Sequence, residues 1–394
     1  METQVAPASI AVHASSSKGP RLAFVDNLRV FLTILVIAHH TMITYAGSGS
    51  WSYMEGREDL FTALVGRWFC SINQTYFMGL FLLISAYFVP GSYDRKGPGR
   101  FLLDRLVRLG IPLALYSWLL RPALVYLGTS MMDGTDLSFG SWLVGDYIRN
   151  APILGGGPLW FIEALLLFSV AYILVRLVGR NKESAPAARP AFPSQGRILV
   201  FALLLSAATF VVRLVWPVGW NFLPLNLQLP YFAQYIAFFI VGLLAYRGNW
   251  LRLMQDRVGR RWLGAALVLT VLFPVLVLLN GATSDNTPFL GGWHWQSAFW
   301  SLTETFLCIA WSLGLIYLFR RFADRSSTLG AFLVRNAYGA YLIHEPVIVF
   351  MALGLIGLSL YPLLKFGIVA LLGISLCFVL GAALRRLPYA DRVL

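Results

Sequence analysis

The chain has 394 residues, 58% of them hydrophobic and only 12% charged, about half the charged share of an ordinary soluble domain. That excludes a soluble enzyme and reads as a polytopic membrane protein; 13 Trp suit a chain that meets the water–lipid boundary many times. A net charge of +13 would suggest nucleic acid as a partner of a soluble protein, but its distribution along this chain assigns it to topology instead.

The first 20 residues are small and polar, with no apolar core ahead of a cleavage site, so 1–20 is expected to be a disordered cytoplasmic N-terminus. Residues 21–394 then read as one transmembrane domain. Stretches apolar and long enough to cross the bilayer run Phe24–Tyr45, Thr75–Val89, Leu106–Leu127, Pro158–Leu177, Ile198–Trp216, Tyr231–Tyr246, Trp262–Asn280, Ala298–Phe319, Tyr338–Leu358 and Pro362–Leu384. The expected fold class is therefore all-α, a polytopic integral membrane bundle of about ten helices. Counting Lys and Arg by alternate sides leaves six opposite the termini: Arg57, Arg67, Arg121, Arg149, Arg213 and Lys365. The other 25 of the 31 share the side of the termini, which predicts both termini in the cytoplasm. Nucleic acid is accordingly not expected as a partner.

The connections differ. Gly179 to Arg197, rich in Pro, Ala and charge, reads as a flexible cytoplasmic linker. The outer connection Gly128 to Gly157 carries Asp133, Asp136 and Asp146, then LGGGP, and is expected to wrap over the outer mouth. Cys70, Cys308 and Cys377 have no metal or redox spacing and read as small buried residues. No internal repeat is evident, which disfavours the transporters built from repeated halves.

The first span, FVDNLRVFLTILVIAHHTMITYAG, carries Asp26, Arg29, His39 and His40 in a segment otherwise built for lipid. At roughly 100° per residue, Asp26, Arg29, Thr33, His40 and Thr44 fall within about 60° of one another, one polar stripe that must face protein. Arg29 and His40 are about 16 Å apart along the axis, while His39 points to another face. Burying each ionisable group in a membrane costs several kcal/mol, so a whole stripe marks a function. The structural competitor pairs Asp26 with Arg29 and hydrogen-bonds His40 in the core. Farther on, RLVR sets Arg105 and Arg108 on nearly one face at the cytoplasmic start of the third span, with Arg95, Lys96 and Arg100 upstream. Guanidinium forks suit phosphate oxygens, although positive-inside arginines also snorkel to the interface.

Asp-Asn-Leu-Arg followed by His40 resembles the opening helix of acyltransferase family 3, integral-membrane acyltransferases that modify bacterial glycans and other acceptors. Three further passages resemble that family in order: Met78 to Leu113, with its basic turn and Arg-x-x-Arg; GPLWFIEALLLF, Gly157 to Phe168; and AYGAYLIHEPVIV, Ala337 to Val349. The chain departs at Val30, where many members carry glycine. The resemblance makes 21–394 a transmembrane acyltransferase domain and implies a bacterial cytoplasmic (inner) membrane location, an acyl-coenzyme A donor (acetyl or succinyl) held by Arg29, Arg105 and Arg108, and a hydroxyl acceptor such as a glycan on the outer side.

His40 is then the expected general base, with no metal. Glu163 on the fourth span is expected to orient it, with Trp160 and Glu304 arriving at similar depth. His344 is expected as a donor-side ligand about two turns into the ninth span, at the depth of Arg29, with Asp26 and Glu345 supporting. The alternative function is a transporter or flippase that uses the same polar stripe as a substrate path.

Overall fold

The first apolar span is polar along one stripe only, yet 15 of its 24 residues are buried. A helix hidden on most sides lies in the middle of a bundle. The structure is a computed structural model and describes residues 22–46, 49, 51–56, 59–134, 136–150, 153, 156–179, 191–282 and 285–394. The expected disordered segment 1–20, and 180–190 of the expected linker, lie outside the described residues.

Ten helices among the described residues are long and apolar enough to cross a membrane: α1 (Ala23–Ala46), α2 (Leu60–Tyr87), α3 (Val89–Met131), α4 (Gly157–Val178), α5 (Gln195–Val215), α6 (Leu229–Arg247), α7 (Asp256–Leu279), α8 (Trp295–Phe322), α9 (Thr328–Gly354) and α10 (Pro362–Leu384). α1 packs against α2, α8, α9 and α10; α6 lies on α2, and α5 and α7 lie on α8. α3 and α4 pair beside α2 and α6. α9 and α10 cross where Gly339 meets Gly381: a Cβ on Gly381 would come within 2.9 Å of the Ala340 nitrogen. Such small-residue contacts let helices associate closely in lipid, where no hydrophobic effect drives them together.

The start of α1 and the end of α10 share one face, here the near face. Asn27 Nδ2 donates to the carbonyls of Ala323 (2.7 Å) and Arg325 (2.9 Å), and Arg385 Nη1 donates to the carbonyl of Arg335 (2.5 Å). The α1–α2 connection marks the far face.

Four helices differ from the expected spans by more than a turn, and one of them, α7, simply starts earlier, at Asp256 rather than Trp262. α2 begins at Leu60 rather than Thr75, because Arg67, Asn73 and Gln74 dilute its hydropathy while Asp59 caps it, accepting from the backbone nitrogens of Phe61 and Thr62. α9 begins at Thr328 rather than Tyr338: Ser327 caps it through the Gly330 nitrogen, and its first turns carry Arg335 and Asn336. α3 continues the expected third span back to Val89, broken only at Gly97 (φ 72). It widens into π-turns at Leu106–Gly110 and Tyr116–Leu120, each next to a proline, Pro112 or Pro122. Proline has no N–H to donate to the carbonyl four residues back. For Pro112 that carbonyl belongs to Arg108, and it accepts the Tyr338 hydroxyl of α9 instead.

Candidate active site

Adjacent residues on a helix point about 100° apart, so α1 gives its two histidines to different neighbours. His39 is buried against Phe77 of α2, ring centroids 4.9 Å apart. His40 meets α9, its Nδ1 2.9 Å from Nε2 of His344. The two rings are 22° from parallel with centroids 5.0 Å apart, two imidazoles joined edge to edge. Trp51, from the α1–α2 connection, lies flat on His40 at 4.3 Å and 10°.

The chain of hydrogen bonds fixes the tautomers. His344 Nδ1 lies 2.5 Å from the Tyr341 carbonyl oxygen, which can only accept, so the proton is on Nδ1. In a neutral ring that leaves Nε2 as acceptor, and His40 must donate to it from its own Nδ1. The lone pair of His40 is therefore on Nε2. That atom has no hydrogen-bond partner among the described residues.

Beside this pair, Glu345 of α9 accepts from the hydroxyls of Ser52 and Tyr116, with the Arg121 guanidinium alongside. Gly157, at φ 53, closes over them: a Cβ there would lie 2.1 Å from the Tyr116 hydroxyl and 3.0 Å from Glu345 Oε2. Gly157 is thus used where a side chain cannot fit. Here the α3–α4 connection meets the site.

Toward the near face a cavity of about 500 Å³ opens between α1, α2, α3, α4 and α9. Arg29, Arg95, Lys96, Arg105, Arg108 and Arg335 line it against one side-chain carboxylate, Asp26. That excess of cations is of a kind that suits a multiply charged anion. Arg29 Nη2 bonds Asp26 Oδ1 at 2.5 Å, as the structural reading of that pair required. Phe161, Ile162 and Leu165 of α4 supply apolar wall, and Tyr341 lines the cavity too. The residue whose carbonyl anchors His344 is thus also a wall of the arginine cavity.

Two expectations need correction. His344 and Glu345 do not sit at the depth of Arg29. With α9 starting at Thr328, His344 is 16 residues along it, about 24 Å, level with His40. Nor does Glu163 bond His40. Its carboxylate is buried and both oxygens lack a hydrogen-bond partner among the described residues. On α4 it shares a side with Trp160, roughly 160° around from Phe161, which lines the cavity. Trp160 stacks on Tyr235 of α6 at 5.2 Å and 24°. Glu304 is likewise engaged elsewhere, paired with the wholly buried Arg213 at 2.7 Å.

Thr33 and Thr44, the rest of the stripe, bond the carbonyls of Arg29 and His40 one turn back, which eases their hydroxyls into the helix, and Thr33 also lines the arginine cavity. Among the described residues no three His, Cys, Asp or Glu side chains converge as a metal site would require. All three cysteines are buried and free.

A family model described as an acyltransferase domain, of family 3, matches residues 22–382. The chain belongs to acyltransferase family 3. It is similar to the glucans biosynthesis protein C of Salmonella agona and of Salmonella heidelberg, 24% identical over 378 residues that cover 94% of this chain and 92% of each relative. No solved structure matches the chain. Membership in the acyltransferase family makes this multi-pass membrane protein an O-acyltransferase, and sets aside the transport reading of its polar stripe.

For this acyltransferase, sequence reasoning missed Trp51, Ser52, Tyr116 and Arg121. Trp51 was marked only by being a tryptophan in a Gly- and Ser-rich connection. Tyr116 and Arg121 carried one faint signal, a tyrosine and an arginine inside a span close to prolines.

Proposed function

We propose that this acyltransferase moves an acetyl or succinyl group from acyl-coenzyme A to a hydroxyl of a glycan. The observation that carries the reading is the bond chain Tyr341 carbonyl–His344–His40, which leaves His40 Nε2 free as a base, with Tyr341 also lining the arginine cavity. Arg105 and Arg108 bind the donor phosphates, and Arg29 extends the cation path inward. The thioester reaches toward His40, about 16 Å along α1 from Arg29.

His40 Nε2 takes the proton of the acceptor hydroxyl as its oxygen attacks the acyl carbon. The carbon–sulfur bond then breaks, and the thiolate recovers the proton from the imidazolium. His344 accepts the hydrogen bond from His40 Nδ1 throughout and steadies the cation. Glu345, with Tyr116 and Arg121, fixes the stretch of α9 that holds His344.

The excess of Lys and Arg at the near face supports a cytoplasmic donor side, with both termini in the cytoplasm and the acceptor at the outer surface of a bacterial inner membrane. The test incubates the purified protein with radiolabelled acetyl-coenzyme A or succinyl-coenzyme A and a crude envelope glucan. Label should move to the glucan, and His40→Ala should lower transfer by at least ~100-fold, the scale of lost general-base catalysis. Transfer that survives His40→Ala refutes the assignment.

A further inference from the structure

Residues 51–55, in the α1–α2 connection, form a strap pinned at four points. Trp51 lies on the His40 ring (4.3 Å, 10°), and Ser52 donates its hydroxyl to Glu345. The Glu55 backbone nitrogen donates to the Thr44 carbonyl at 2.9 Å, one turn beyond His40. The Glu55 carboxylate pairs with Lys365 Nζ of α10 at 2.5 Å, the two side chains 7% and 2% exposed. The strap also presses on α3, where a Cβ on Gly128 would come 2.0 Å from the Ser52 carbonyl.

A buried ion pair is a poor source of stability, because desolvating both charges offsets most of their attraction. It is a strong source of geometry, because a lone buried charge left by breaking it is costly. Glu55 and Lys365 are near-fully buried, far from the arginine cavity, and unused by the acyl-transfer chemistry proposed above. What they fix in place is the far-face cover of the base.

We infer that Trp51–Glu55 is a positioning strap for acyl transfer: the Glu55–Lys365 pair latches it so that Trp51 holds the His40 ring and narrows far-face access to Nε2, favouring the acceptor hydroxyl over bulk water. Trp51, Glu55 and Lys365 are positioning residues, acting through His40. The inference rests on the acyl-transfer reading for its catalytic consequence but not for its geometry. If the latch opens, water reaches His40 and competes with the acceptor. His40 Nε2 then takes a proton from water, the water oxygen attacks the acyl carbon, the carbon–sulfur bond breaks, and the proton passes to the thiolate, giving free acid and coenzyme A.

The first arm measures label transferred to envelope glucan against label released as free acid, for acetyl- and succinyl-coenzyme A. Lys365→Glu and Glu55→Lys should each raise the ratio of hydrolysis to transfer tenfold or more. The double exchange, which restores an ion pair of opposite sense, should return it to within threefold of the parent. Trp51→Phe should keep most transfer, and Trp51→Ala should shift toward hydrolysis as the latch variants do. Misfolding alone lowers both products together and is not rescued by the charge exchange.

The second arm needs no substrate. In His40→Cys protein the native cysteines are buried, so a bulky hydrophilic maleimide in detergent reports the introduced thiol. Adding Lys365→Glu should speed labelling tenfold or more, and the double exchange should slow it again. A parent that transfers acyl groups, combined with unchanged product ratios and labelling rates in the latch variants, overturns the strap. A parent that transfers nothing from either donor overturns the acyl-transfer reading instead, while the labelling arm still decides the strap.

Discussion

Replacing His344 with Phe keeps a flat ring on α9 but removes the acceptor for His40 Nδ1 and the donor to Tyr341. An unsatisfied buried donor costs about 1–3 kcal/mol. In the resting state part of that loss is recovered, because a neutral His40 can move its proton to Nε2, the wrong tautomer for a base. In the transition state His40 is becoming cationic, and its Nδ1 bond is then charge-assisted and roughly twice as strong. The loss therefore falls mainly on the transition state and lowers kcat rather than raising the donor KM. Converting about 1–3 kcal/mol at 1.36 kcal/mol per tenfold gives a fall of roughly 5- to 150-fold. The assay is the initial rate of label transfer against donor concentration, with thermal unfolding of the same preparations as a folding control. His344→Gln, which offers a carbonyl oxygen to Nδ1, should fall between the parent and His344→Phe. A His344→Phe enzyme whose kcat stays within twofold of the parent, or whose loss appears only in the donor KM, would refute the relay.

Arg105→Ala and Arg108→Ala should act at the other end, each removing a charge-assisted contact of about 1.5–3 kcal/mol and so raising the donor KM roughly 10- to 150-fold while kcat changes little; steady-state kinetics at two ionic strengths checks this. Gly157→Ala puts a methyl 2.1 Å from the Tyr116 hydroxyl at φ 53, so both the thermal midpoint and the transfer rate should drop, whereas Gly179→Ala, with open space around its Cβ, should leave both near the parent. Arg213→Leu strands the buried Glu304 carboxylate and should cost about 3–5 kcal/mol of stability, read as lost folded yield and a lower midpoint, with Arg213→Leu/Glu304→Leu markedly milder.

The ten crossings were legible because each needs a long apolar run, and the composition leaves few polar residues to blur them. The starts of α2 and α9 were not legible, since amphipathic turns beside the interface are helical by capping and packing rather than by hydropathy. In the site, the separation of His39 from His40 follows from helical angle alone. The depth of His344 depended on where α9 begins, and its start at Thr328 rather than Tyr338 moved that ring from the arginines to His40. Glu163 looked like the orienting group because a carboxylate is the usual partner of an imidazole. The second histidine took that place through a neighbour 304 positions away, which no local pattern can announce. Trp51 and the Glu55–Lys365 pair were hidden for the same reason, joining a short connection to the last span.

The carbonyl that Pro112 releases on Arg108 is caught by Tyr338, six residues before His344 on the same rigid rod. One hydrogen bond thereby joins the arginine turn of α3 to the helix that carries the second imidazole, about 9 Å farther along.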